Sequence, residues 1–163
     1  MWKRLLQIGT GMLFIGLALL AIGGLNHGFQ PVAIVSGRPM VSRVTTKTTN
    51  LAPFTTITAK TDDLDVVVKS GSHYQVKVTM LTGTGITSRV RAGVLTLAQT
   101  GGADLGMLLG HTPTPRITIT VPKNKKIQTA KIRTEDGALR YTVPQTGRLR
   151  LASASGDITV SSA

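Results

Sequence analysis

Residues 130–160 read AKIRTEDGALRYTVPQTGRLRLASASGDITV, and this run contains a repeat. Ala130-Lys131-Ile132-Arg133-Thr134 lines up with Leu149-Arg150-Leu151-Ala152-Ser153, 19 positions further on. At the same offset Asp136-Gly137 lies beside Ser155-Gly156, and Leu139 matches Ile158. Each unit reads strand, polar turn with Gly, strand. Successive strand side chains point to opposite faces, so the apolar parity of each unit needs cover. Units of this length bury that face by stacking on one another. The pattern predicts an all-β domain built as a short β-solenoid. A β-sandwich with meander connections gives similar alternation and is the alternative.

Upstream, the same period continues. DLDVVVKS sets Leu64, Val66 and Val68 against Asp65, Val67 and Lys69. After the turn Ser70-Gly71-Ser72, HYQVKVTM alternates Tyr74, Val76, Val78 and Met80 against Gln75, Lys77 and Thr79. Ile86–Arg91 and Val94–Ala98 form another pair around Ala92-Gly93, and RITITVP places Ile117, Ile119 and Val121 on one face. Phe54 and Ile57 differ in parity, so FTTITAK is a weak strand start. Residues 99–115, QTGGADLGMLLGHTPTP, are too long and too rich in Gly and Pro for a hairpin loop. They are read as a cap over an open end of the β core, with a membrane- or partner-touching loop as the rival. No helical period follows Leu25.

The N-terminus is different in kind. Leu5–Leu25 is LLQIGTGMLFIGLALLAIGGL, without a charged residue. About 20 apolar residues at about 1.5 Å rise match a bilayer core, where a lone segment must be helical. Lys3 and Arg4 precede the span, and no Lys or Arg follows until Arg38, which predicts an inside N-terminus. The expected organisation is a cytoplasmic segment 1–4, a transmembrane helix 5–25, a linker 26–53 and an extracytoplasmic β domain 54–163. A cleaved signal peptide, with Ala21 and Gly23 before the cut, would instead secrete the domain.

Composition narrows the function classes. With no Cys, disulfides, thiolate metal sites and a Cys nucleophile are excluded. Nineteen Lys and Arg stand against seven Asp and Glu, a net of +12. Such an excess concerns partners rather than fold. Export argues against nucleic acid and leaves lipid headgroups and anionic wall polymers. His27, His73 and His111 lie in unrelated segments with no metal-ligand spacing. Asp62, Asp63 and Asp65 alternate in direction, so they converge poorly on a cation. Asp136 and Asp157 each adjoin a Gly and are accounted for by turn chemistry. LTGTGITS (81–88) lacks the Lys of a phosphate loop. The expectation is a non-enzyme with no cofactor and no metal.

The positives follow strand parity. Lys131 and Arg133, and Arg148 and Arg150, take the outward parity, and the repeat stacks Lys131 near Arg150. With Lys123, Lys125, Lys126 and Arg140 these form the candidate polyanion-binding set. Like charges on neighbouring strands are mildly destabilising unless an anion neutralises them.

The order of an N-terminal anchor, FTTITAKTDDLDVVVKSGSHYQVKV, GVLTLAQ, ITITVPKNKKIQTAKIRTEDGAL and RLRLASASGDITV resembles the adhesin-like family of bacterial cell-envelope proteins. Some of its members are encoded beside envelope-stress regulators. The likeness spans Phe54 to Val160. It implies a β-solenoid-like ectodomain and supplies no catalytic residues. Members often carry more "sGdi" rungs than this chain shows. The function expected is binding of an anionic envelope polymer, or of another envelope protein, through a basic β face. The alternative is an assembly module using an open edge at Gly156–Ser161, including self-association.

Overall fold

The computed structural model describes residues 2–25, 32–35, 38–41, 43–81, 84–101 and 114–161. It is mostly β. Among the described residues one helix, α1 (Trp2–Leu25), precedes thirteen strands. A two-stranded antiparallel sheet pairs β1 (Val32–Val35) with β2 (Arg38–Val41). The remaining strands are β3 (Val44–Asn50), β4 (Thr56–Lys60), β5 (Asp65–Gly71), β6 (Gln75–Leu81), β7 (Gly85–Arg91), β8 (Val94–Thr100), β9 (Arg116–Pro122), β10 (Ile127–Thr134), β11 (Leu139–Thr142), β12 (Thr146–Ser153) and β13 (Ile158–Val160). They form two mixed sheets. One has the order β12-β10-β4-β8-β7, the other β13-β11-β5-β9-β6-β3.

The chain turns from the first sheet into the second through a short corner. β4 passes to β5, β10 to β11 and β12 to β13. Each such unit lies parallel on the next. Ala130 pairs with Leu149 and Leu139 with Ile158, so the 19-residue repeat is the true register. A second, longer offset joins the central unit. Thr129 pairs with Thr56 and Leu139 with Val66, both 73 positions apart, so strand, corner and strand superpose without a slip. Its trace in sequence is Lys60-Thr61-Asp62-Asp63 against Arg133-Thr134-Glu135-Asp136.

The inward residues form one core drawn from both sheets. Ile57, Leu95 and Ala130 make one buried row, and Val66, Ile117 and Leu139 another, each at 2% exposure or less. Aliphatic side chains stacked at the strand spacing of about 4.8 Å bury one another fully. Tyr141 closes a corner, its hydroxyl sharing a 2.7 Å hydrogen bond with Thr146 Oγ1. Phe54 is buried although its parity opposes that of Ile57, because it precedes β4 and packs its ring against Tyr74 with centroids 4.8 Å apart.

Corners are locked by hydroxyls and glycine. Thr134 Oγ1 donates to the Asp62 carbonyl and accepts from Gly137 N–H, each at 3.1 Å. Ser153 repeats this one unit on, donating to the Gly137 carbonyl and accepting from Gly156 N–H. A Cβ at Gly137 would overlap the Leu64 carbonyl, and one at Gly156 the Gly137 carbonyl. Only glycine permits this approach.

At the other end the sheets turn antiparallel. β7 and β8 form the hairpin expected around Ala92-Gly93, with φ of 48° and 75° at those two residues. These are the values a two-residue turn needs to match strand twist. The pair β5 and β6 is not a hairpin, because β9 lies between them, parallel to β5 and antiparallel to β6. Within the expected linker, Val44–Asn50 is an edge strand paired with β6, and Val32–Val35 pairs with Arg38–Val41. Alternating Thr in VTTKTTN pairs well across strands, which a search for apolar periodicity passes over.

Among the described residues no helix is long and apolar enough to cross a membrane. The side chains described on α1 are those of residues 9–23 and 25, a stretch shorter than a bilayer core requires. The backbone of α1 is helical over all 24 residues.

Candidate functional site: a basic sheet face

The outward positions of the five-stranded sheet follow from its register. β12 presents Arg148 and Arg150, β10 presents Lys131 and Arg133, and β4 presents Lys60. Arg148 lies opposite Thr129 and Arg150 opposite Lys131, while Arg133 lies opposite Lys60. These five cations form one diagonal field across three neighbouring strands. A middle strip follows, made of Thr56 and Thr58 on β4 and Val94, Thr96 and Ala98 on β8. Beyond it β7 adds Arg89 and Arg91, opposite Thr96 and Val94. All seven cations are exposed. Among the described residues none of the seven has a carboxylate partner within ion-pair distance.

Two shallow depressions share Lys131. One, of about 470 Å³, is lined by Thr58, Lys60, Lys131, Arg133 and, at its rim, Glu135. The other, of about 300 Å³, is lined by Thr129, Lys131, Arg148 and Arg150. Neighbouring strands set the cations about 4.8 Å apart across the sheet, and alternate residues set them about 6.7 Å apart along it. Repulsion at that spacing is tolerated in water and relieved by a bound polyanion.

The acidic side chains gather at one end of the domain, where Glu135 reaches the larger depression. Of seven in the chain, Asp104 lies outside the described residues; the other six are Asp62, Asp63, Asp65, Glu135, Asp136 and Asp157. All six stand at the one corner where the chain passes from the first sheet to the second. There they serve the fold. Asp65 Oδ1 accepts from Ala138 N–H at 2.9 Å, and its other oxygen meets Arg116 at 3.3 Å. Asp63 accepts from Gln99 Nε2, and Asp136 from Ser155 Oγ. Among the described residues no group of these carboxylates and histidines is arranged to hold a metal ion. His73 shares a hydrogen bond with Ser72 Oγ in an exposed turn. His27, His111 and the apolar run Leu105–Leu109 lie outside the described residues.

The candidate set expected from sequence divides three ways. Lys131, Arg133, Arg148 and Arg150 come together. Arg140 points from the opposite face, on β11 of the six-stranded sheet, beside Val67 and Thr159. Lys123, Lys125 and Lys126 sit in the exposed connection from β9 to β10, at the corner away from the carboxylates. Three members of the face, Lys60, Arg89 and Arg91, are absent from that set. The KTDD and RTED motifs mark Lys60 as the equivalent of Arg133. Nothing local marks Arg89 and Arg91, which reach the face through β8.

No family model matches the chain, and no curated protein matches it. Among solved structures it is similar to a candidate cell adhesion protein from Clostridium sporogenes, at 12% identity over 70% of this chain and 59% of that one, with a TM-score of 0.49. It is similar also to a candidate adhesin from Bacteroides fragilis, at 15% identity over 71% and 61% of the two chains, with a TM-score of 0.37. A candidate adhesin from Parabacteroides distasonis gives 18% identity over 72% and 56%, with a TM-score of 0.39. The chain spans somewhat over half the length of each.

Proposed function

We propose that this chain is a membrane-anchored, adhesin-like, non-catalytic protein of the cell envelope, whose basic sheet face binds an anionic envelope polymer. The observation that supports the reading is the outer face of β12-β10-β4-β8-β7, with seven exposed cations and every described carboxylate kept to one corner. Such a face concentrates positive potential where a linear polyanion can lie across several strands. The hydroxyls of Thr56, Thr58 and Thr96 line the neutral strip between the two cationic flanks. In the same reading, the parallel units are rungs of a short β-solenoid that supplies a flat, rigid platform.

The anchor rests on α1. Its apolar side chains are exposed on successive positions Met12, Leu13, Phe14 and Ile15, and again at Leu17, Leu19, Leu20 and Ile22. A helix apolar on every side needs an apolar surround. In this reading the positive-inside rule, applied to Lys3 and Arg4, supports a cytoplasmic start and an exported β domain.

The test is binding of the full chain, held in lipid nanodiscs, to polyglycerol phosphate across a salt series. Affinity is expected to collapse as the screening length falls from about 10 Å near 0.1 M to about 3 Å near 1 M. Binding that ignores salt, or equal binding to neutral dextran, refutes the proposal. A tag at the N-terminus that proteases reach from outside intact cells refutes the orientation.

A further inference from the structure

The outer face of the six-stranded sheet carries a small charged depression. The register of β11, β5 and β9 builds it. Arg116 lies opposite Asp65, and two residues further along β5 Val67 stands between Arg140 and Thr118. Ala138, just before β11, donates its N–H to Asp65 Oδ1 at 2.9 Å. Asp65, Val67, Arg116, Ala138 and Arg140 together line a space of about 220 Å³. None of the seven cations of the five-stranded sheet takes part in it.

Both signs of charge face this space, and they are held differently. The side chain of Asp65 is 18% exposed and fixed, with one oxygen on the Ala138 N–H and the other on Arg116 at 3.3 Å. Each carboxylate oxygen has two lone pairs, so each keeps one acceptor site open. Arg140 is exposed, and among the described residues no carboxylate lies within ion-pair distance of it. Its register neighbours, Val67 and Thr159, carry no charge. A strand spacing of about 4.8 Å and a two-residue rise of about 6.7 Å put the Cα atoms of Arg140 and Asp65 about 8 Å apart on the diagonal. A small molecule carrying both charges can bridge that gap.

The arrangement selects among small ligands. A simple anion meets Arg140 but also the fixed carboxylate of Asp65. A simple cation meets Asp65 but also two guanidiniums. A zwitterion satisfies all three groups. Its carboxylate takes the planar donor fork of Arg140, and its ammonium donates to the open lone pairs of Asp65. Val67 and Ala138, both partly buried, give a small side chain an apolar floor. Size limits the ligand further, since 220 Å³ is below the range of about 300–1,000 Å³ that drug-sized molecules occupy. A phosphodiester chain brings no cation for Asp65, so the polymer proposed for the other sheet does not match this site.

We infer that the depression between β11, β5 and β9 is a binding site for a small zwitterionic amino acid, with Arg140 on its carboxylate and Asp65 on its ammonium. Arg116 fixes Asp65 and adds a second guanidinium at the carboxylate end. The site shares no residue with the polymer-binding face.

The experiment titrates L-alanine into the full chain in nanodiscs by calorimetry, with propionate and ethylamine as analogues that each keep one charge. L-alanine is expected to bind about tenfold or more tightly than either analogue, since each of them lacks one charge-assisted hydrogen bond. Arg140→Gln should weaken alanine binding about tenfold, while binding of polyglycerol phosphate stays within about twofold of wild type. Asp65→Asn keeps an oxygen for the Ala138 N–H but removes the negative charge. It should weaken alanine and strengthen propionate, so that the preference for the zwitterion disappears. Thermal melts matching wild type show that the variants fold, and Arg140→Gln, at an exposed position, carries the test even where Asp65→Asn loses stability. The inference is overturned if alanine fails to bind, if propionate binds as tightly as alanine, or if Arg140→Gln leaves alanine affinity unchanged.

Discussion

Replacing Gly137 by Ala tests the corner that joins the stacked units. A Cβ there would overlap the Leu64 carbonyl, a backbone group with no rotamer to escape through. The unit must move away from its neighbour to admit the methyl. The bonds placed at risk are Glu135 N–H and Asp136 N–H to Asp62, Ala138 N–H to Asp65, and Gly137 N–H to Thr134, all between 2.8 and 3.1 Å. At about 1 kcal/mol for each lost bond, three or four losses come to about 3 kcal/mol. A penalty of that size corresponds to a fall in Tm on the order of 10 °C for a domain of this length. Gly71→Ala is the control. Its added Cβ meets only the Thr120 side chain, which can rotate, so a loss of about 1 kcal/mol or less is expected. Circular dichroism melts of the full chain in detergent read both. A Tm for Gly137→Ala within about 2 °C of wild type would refute the close stacking of corners.

Further outcomes follow from burial and titration. Ile132→Ala, at a site 2% exposed, should cost about 2–4 kcal/mol, while Leu151→Ala, its half-buried partner on the last unit, should cost clearly less; urea denaturation measures both. Burial raises the pKa of Tyr141 above 10.0, against a smaller lowering by its bond to Thr146. A raised folded-state value means the stabilisation is whole below the unfolded pKa and is lost as pH climbs through the folded one. Wild type should therefore lose more stability than Tyr141→Phe above about pH 10, and parallel pH–stability curves would contradict this. Gly93→Ala, at φ 75°, should cost about 1 kcal/mol by straining the β7–β8 turn, with a melt as the check.

What sequence shows and hides follows from distance along the chain. The 19-residue repeat is legible because β10–β11 and β12–β13 are consecutive, and their registers leave aligned residues such as Lys131 and Arg150. The β7–β8 hairpin is legible because Ala92-Gly93 sits between alternating runs. The central unit is harder, since its partner lies 73 positions away, and only KTDD against RTED signals it. The insertion of β9 between β5 and β6 has no local signal at all, as any strand of that parity fits beside β5. β3 escapes for another reason, being an edge strand of Thr with few apolar residues to count. The basic face is thus half-legible. Parity within β10 and β12 finds four of its members, while Arg140, grouped with them by nearness in sequence, stands on a strand of the other sheet. Lys60, Arg89 and Arg91 become neighbours of these four only through pairings that sequence does not display.

The face itself is tested most directly by removing equal charge from opposite sides of the domain. One variant carries Lys131→Gln, Arg133→Gln and Arg148→Gln on the five-stranded sheet. The other carries Lys69→Gln, Lys77→Gln and Arg140→Gln on the six-stranded sheet. Both lose the same net charge, so a general attraction between a basic protein and a polyanion would weaken equally. With polyglycerol phosphate as probe, the first variant is expected to bind about tenfold or more weakly, and the second to stay within about twofold of wild type. Equal losses in the two variants would contradict a defined binding face on β12-β10-β4-β8-β7.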